Sequence, residues 1–179
     1  MIRFEESPEM QRNKDVVLTT VTKDGLSLRY ASEELRADKY VVIAAVTENG
    51  KSLEFASEEL KADKDVVLAA VTNDGDTLRL VSDELKGDKD VALAAVTNDG
   101  DALQFVSKEL KADTEVVNAA IKQKPCAIKH ADGKIKKDSA FYKDSRFDEF
   151  CKDEPKSYYG GKRTRKTRRR KRTRRFYKK

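Results

Sequence analysis

The chain has 179 residues, with 38 Lys+Arg, 32 Asp+Glu, two cysteines and a single histidine. No stretch approaches the ~18 consecutive apolar residues of a membrane span. The opening MIRFEESPEMQR lacks the apolar core of a secretory signal, so the expected setting is intracellular rather than secreted. One histidine and no paired C-x-x-C leave nothing to build a metal site or a His-based triad from.

Apolar residues are concentrated in a pattern of period 25. Glycines fall at Gly25, Gly50, Gly75 and Gly100. In the same register run Asn13, Asp38, Asp63, Asp88, Asp113 and Asp138, and Ser7, Ser32, Ser57, Ser82 and Ser107, continued by Asp132. A fourth ladder is Leu35, Leu60, Leu85 and Leu110, with Met10 before it and Ile135 after it. A fixed period between 20 and 50 residues marks a repeat architecture.

In chain order, residues 1–12 read as the end of a partial repeat and an N-terminal cap. Ser7–Arg12 aligns with Ser32–Ala37, and Pro8 suits a first helical position. Five repeats occupy 13–137, the last of them degenerate. In the copy 63–87, Asp63 is a good N-cap and Asp65 suits the positive end of the helix dipole. Val66–Val71 is apolar throughout. Asn73-Asp74-Gly75 reads as a helix stop, with the glycine in the left-handed conformation. These signals predict a first helix of about ten residues, ~15 Å long. Being apolar all round, it is expected to be buried between neighbours. Leu78 and Val81 share a face of a second segment, and Ser82 caps one further turn that buries Leu85.

The apolar run VVLAA also fits a buried strand. The alanine pairs (Ala44-Ala45, Ala69-Ala70, Ala94-Ala95, Ala119-Ala120) favour helix, and the leucine-rich-repeat ladder is missing. The expected fold is therefore all-α, a short α-solenoid of 25-residue helical repeats. Helices this short are marginal alone, so each copy must bury its apolar face against the next.

In copy 113–137, Pro125 replaces the glycine, His130 an aromatic or leucine, and Asp132 the serine. Such drift suits a terminal repeat. Asp138 is placed to open a sixth first helix. Residues 138–151, with Phe141, Tyr142, Phe147 and Phe150, read as a C-terminal cap, and an aromatic docking patch is the alternative. Residues 152–161 are a linker ending in Gly160-Gly161. Cys126 and Cys151 read as two incidental free thiols of a reducing compartment.

Charge divides the chain. Residues 1–159 hold 25 basic and 32 acidic residues, net −7, whereas 160–179 hold 13 basic residues and no acid, net +13. The segment 162–179 is expected to be a disordered basic tail, since clustered like charges cannot bury a core. Its Lys162, Arg163, Arg165, Lys166, Arg168, Arg169, Arg170, Lys171, Arg172, Arg174, Arg175, Lys178 and Lys179 suit nucleic-acid phosphate, read without regard to sequence. Phe176 and Tyr177 are available to stack on bases. Nuclear import, acidic protein surfaces, anionic lipid heads and the chain's own acidic repeats are the other destinations for such a run.

No catalytic constellation emerges, and no cofactor is called for. NDGD at 73–76 and 98–101 lacks the alternating oxygen ligands of a calcium loop. The pairs Glu33-Glu34 and Glu58-Glu59 recur with the period, which marks them as first-turn charges. An unidentified protein partner on the repeat surface would use columns that vary between copies. Arg29, Glu54, Arg79, Gln104 and Lys129 form one. Asp15, Tyr40, Asp65, Asp90 and Glu115 form another, in which Tyr40 is the one aromatic and the best candidate for protein docking.

The pattern A-S-E-E-L-K-A-D-K-D-V-V-L-A-A-V-T-x-x-G-x-x-L over about 7–137 resembles an uncharacterised helical repeat family, a domain of unknown function found in large nucleocytoplasmic DNA viruses, protists and bacteria. KRTRKTRRRKRTRR is similar to basic tails of giant-virus proteins. The resemblance implies a helical repeat without a known activity, and a nuclear, virus-factory or virion location. The expected function is a non-enzymatic interaction scaffold with a nucleic-acid-binding tail. The alternatives are a structural virion component whose tail contacts the genome, and a repeat adaptor whose tail is only a nuclear import signal.

Overall fold

The same local chemistry sets each copy in turn. The Asp63 carboxylate accepts from the N–H groups of Asp65 and Val66 at 3.0 and 3.2 Å and starts the helix Lys64–Asn73. Asn13, Asp38, Asp88 and Asp113 do the same for Lys14–Val21, Lys39–Glu48, Lys89–Asn98 and Thr114–Gln123. The computed structural model describes residues 4–138 and Cys151, and its described residues are all-α, with no strand among them. The chain divides into two compact units, Met1–Phe147 and Asp148–Lys179. Only Cys151 of the second is described.

After each long helix comes a 3-10 segment: Gly25–Tyr30, Gly50–Phe55, Gly75–Leu80, Gly100–Gln104 and Pro125–His130. Asp24, Asn49, Asp74 and Asp99 cap the first four through their side chains. A single helical turn completes the copy at Glu33–Arg36, Glu58–Lys61 and Asp83–Lys86, and copy four closes with a 3-10 turn, Leu110–Ala112. Ser57, Ser82 and Ser107 accept from the N–H three residues on at 3.4, 3.4 and 3.3 Å. Ser32 makes no such bond. At the N-terminus, Ser7 caps Pro8–Arg12, and Phe4 meets the Tyr30 ring edge to face.

Successive long helices lie side by side in one row, and successive 3-10 segments form a second. Between the rows, Val66, Val67, Ala70 and Val71 are fully buried, as are their counterparts in copy two. A leucine ladder deeper than the Leu60/Leu85 ladder runs through the centre: Leu28, Leu53, Leu78, Leu103 and Ile128 are all fully buried. Leu35, Leu60 and Leu85 keep 8–9% exposure.

Copies are joined by hydrogen bonds as well as by packing. The backbone N–H of Ser32, Ser57, Ser107 and Asp132 donates to a carbonyl of the preceding copy at 2.8–3.0 Å. The Asn73 amide donates to the Thr47 carbonyl and accepts from the Gly50 N–H, both at 2.8 Å. Asn98 does the same to Thr72 and Gly75, and Gln123 to Asn98 and Gly100.

Four expectations are corrected. The glycines are not left-handed helix caps; each opens a 3-10 segment, and the extended residue before it is the cap. Their role is close approach: a Cβ at Gly25, Gly50, Gly75 or Gly100 would lie 2.3–2.6 Å from a carbonyl oxygen of the next copy's helix. Asp138 is not an extended cap like its counterparts but lies in the helix Gly133–Asp138, whose turn runs on past the point where the other copies stop; the sixth first helix expected after it falls outside the described residues. The long helices are not buried all round, because no described element covers their outer face. Finally, Cys126 and Cys151 are disulfide-bonded rather than free thiols. The rest of the proposed C-terminal cap, the linker and the basic segment lie outside the described residues.

Candidate functional site

The outer face of each long helix follows an i, i+3, i+4, i+7 pattern, the spacing of one helical stripe. In copy three it reads Asp65, Leu68, Ala69, Thr72, and in copy two Tyr40, Ile43, Ala44, Thr47. Because the helices stand side by side in register, these residues line up across copies as three rows. Acids occupy the N-terminal edge, half-buried apolar side chains (Leu18, Ile43, Leu68, Leu93) the middle, and exposed threonines the far edge. Between copies two and three the middle row opens into a groove of ≈ 460 Å³ lined by Thr47, Leu68, Ala69, Thr72 and Asn73.

The acidic edge is an ion-pair ladder. Lys39 reaches Asp63 at 2.8 Å and Asp65 at 2.7 Å. Lys64 reaches Asp88 and Asp90 at 2.7 and 3.0 Å, and Lys89 reaches Asp113 and Glu115 at 3.0 and 2.8 Å. Each ammonium thus serves two carboxylates of the following copy. The lysine bond holds the carboxyls of Asp63, Asp88 and Asp113 below the ordinary range, and the N–H groups they cap act the same way. The paired carboxylates raise Lys39, Lys64 and Lys89 in return.

Tyr40 breaks the acid row and is 77% exposed, the one large hydrophobic side chain that stands out in solvent among the described residues. Lys14 meets Asp38 at 2.6 Å and lies 5.6 Å from the centre of the Tyr40 ring. The other variable column, Arg29, Glu54, Arg79, Gln104 and Lys129, is exposed as well.

Two segments, 38–86 and 88–136, match the model of a Domain of unknown function (DUF4116). The chain belongs to this family. Each DUF4116 match covers two consecutive 25-residue copies, so the family unit is a pair of copies, and copy one lies outside both. No curated protein and no solved structure matches the chain.

Copy five of the DUF4116 array departs from the others at residues that in earlier copies face a following copy. Thr114 stands where Lys14, Lys39, Lys64 and Lys89 stand, Asn118 ends the apolar row, and Pro125 replaces the close-approach glycine. His130 lies 3.8 Å from Asp101. Burial, followed by Lys129, lowers its pKa against the opposing pull of Asp101. No group of three or more His, Cys, Asp or Glu able to hold a metal occurs among the described residues, and no described helix is long and apolar enough to cross a membrane. The basic residues Lys162–Lys179, with Phe176 and Tyr177, lie outside the described residues. The apolar row and the amide bridges escaped the sequence reading. Their signals were present, in the recurrence of Leu18, Ile43, Leu68 and Leu93 and of Asn73, Asn98 and Gln123.

Proposed function

We propose that this protein is a non-enzymatic scaffold: its DUF4116 array presents a protein-docking surface, and its basic C-terminal segment binds nucleic acid without sequence preference. The observation that carries the reading is the charge division, net −7 over 1–159 against +13 over 160–179. Arginine dominates the basic segment, and its planar fork pairs with phosphate oxygens. Binding then draws on counterion release, which depends on charge density and not on base identity. The likeness of the repeat and the tail to sequences of large DNA viruses supports a setting near a viral genome.

The test is a salt titration with labelled duplex DNA and single-stranded RNA. If about six to ten phosphates are neutralised, affinity falls by about 10³–10⁵ between 50 and 200 mM salt, and similarly for both ligands. A chain with the order of residues 162–179 scrambled binds like the parent. A strong preference for one sequence would overturn the reading.

A further inference from the structure

From the three rows on the outer face of the long helices, we infer that this face docks an amphipathic helix with one basic flank, laid across the array along Leu18, Ile43, Leu68 and Leu93. The inference rests on the scaffold reading above and names the partner's chemistry. Those four side chains are half-buried, and no described element covers them.

Three features select the occupant. The first is pitch. Packed helices stand about 8–10 Å apart, so the four apolar positions span about 24–30 Å. Seven residues of an α-helix rise about 10.5 Å, so a partner helix of about 22 residues offers one apolar side chain per copy at i, i+7, i+14 and i+21. The second is hydrogen bonding. An extended peptide would need partners for its own backbone, and this face supplies few. The Thr22 hydroxyl is committed to its own helix, donating to the Leu18 carbonyl at 2.9 Å, and the Thr47 and Thr72 carbonyls already accept from Asn73 and Asn98. A helix satisfies its backbone internally and needs only apolar contact.

The third feature is charge. Each trio, such as Lys39 with Asp63 and Asp65, holds two carboxylates to one ammonium. The helix N-terminus returns about half a positive charge, so copies three and four keep a negative surplus along this edge in the exposed Asp65 and Asp90 carboxylates. In copy two, by contrast, Tyr40 stands in the acid's place and Lys14 balances Asp38. A lysine or arginine on the partner's flank meets Asp65 and Asp90, while the threonine edge offers no charged side chain in its row, only the weaker negative end of the helix dipole. Tyr40, 77% exposed in copy two beside Ile43, provides an aromatic anchor of the kind that dominates interface energies. Asn118 ends the apolar row in copy five and sets its length.

The experiment is fluorescence anisotropy with the full chain and a labelled amphipathic helical peptide, leucines at heptad spacing and lysines along one flank. The parent should bind it at least tenfold more tightly than a peptide with glutamates on that flank. L68S/L93S should weaken binding at least tenfold while leaving DNA binding unchanged, which separates a failure here from a failure of the nucleic-acid reading. D65K/D90K, which leaves the apolar row intact, should reverse the preference toward the glutamate peptide. A free peptide of residues 162–179, which has the charge without the apolar stripe, should not displace the probe. No binding by the parent, equal binding of both peptides, displacement by the plain polycation, or unaltered preference in D65K/D90K would each overturn the proposal.

Discussion

Adding one methyl group at Gly75 and at Gly87 should change stability in opposite directions. At Gly75 the new Cβ would lie 2.4 Å from the Ala95 carbonyl oxygen, 3.1 Å from the Asp99 nitrogen and 3.2 Å from the Asp99 Cβ. The first two are backbone atoms of the next copy, so relief requires two stacked copies to separate. Overpacking of this kind costs about 1–3 kcal/mol. The displaced Gly75 N–H would also weaken its 2.8 Å bond to Asn98, at a further ~1 kcal/mol. G75A should therefore cost about 2–4 kcal/mol. Gly87 is an exposed helix end at φ −91°, ψ −6°, and Ala37, Ala62 and Ala112 hold its place in other copies. G87A should add about 0.4–1 kcal/mol by restricting the unfolded chain. Urea titration followed by circular dichroism reads both. With slopes of about 1–3 kcal/mol/M, the midpoint falls by roughly 1–2 M for G75A and rises by a few tenths for G87A. Equal shifts of the same sign would refute close approach as the reason for the glycine ladder.

S52A should be neutral or stabilise by up to about 1–3 kcal/mol, because the Ser52 hydroxyl is fully buried without a hydrogen-bond partner and Ala102 and Ala127 occupy its position in later copies; a loss in the same titration would show a bond to it. L60A, L85A and L78A should each cost about 2–5 kcal/mol, with L78A at the upper end since Leu78 is fully buried and Leu85 is not; melts matching the parent would put the core register in error. Stability should also follow the ion-pair ladder with pH. The capping carboxyls sit below their ordinary ~3.9, so their contribution is complete above that value and disappears as pH falls through their lower folded values. Lys39, Lys64 and Lys89 sit above their ordinary ~10.4, so theirs is complete below that value and disappears as pH rises through the folded ones. Thermal melts should show a plateau from about pH 6.5 up to the lysine range and a step down below about 6.5. There the unfolded chain protonates His130 more readily than the folded one, in which burial lowers its pKa, and H130Q should remove that step; a midpoint that drifts steadily across pH 7–9 would contradict this.

The helical class, the period and the capping aspartates were legible because each rests on local chemistry that recurs five times. Asp63 reads as a cap from its own residue type and its neighbours. The glycines misled for a related reason. Asn-Asp-Gly has the local composition of a helix stop, whereas the demand on Gly75 comes from Ala95, twenty residues on. Asn73 likewise reads as a stop signal, although its amide spends both functions on the preceding copy. The outer face was hidden by the run Val66–Val71, which looks buried on every side until neighbouring helices fix which residues face out. Tyr40 stood out in the sequence by breaking an acid column, and in the structure it is exposed.

The most direct test of the account compares DNA binding by the full chain with binding by a chain ending at Tyr159, across a salt series. The proposed division puts nucleic-acid affinity in the +13 segment and repulsion in the −7 remainder. It predicts steeply salt-dependent binding by the full chain and none by the shortened one. Equal binding by the two would place nucleic-acid recognition on the repeats and contradict the division of labour proposed here.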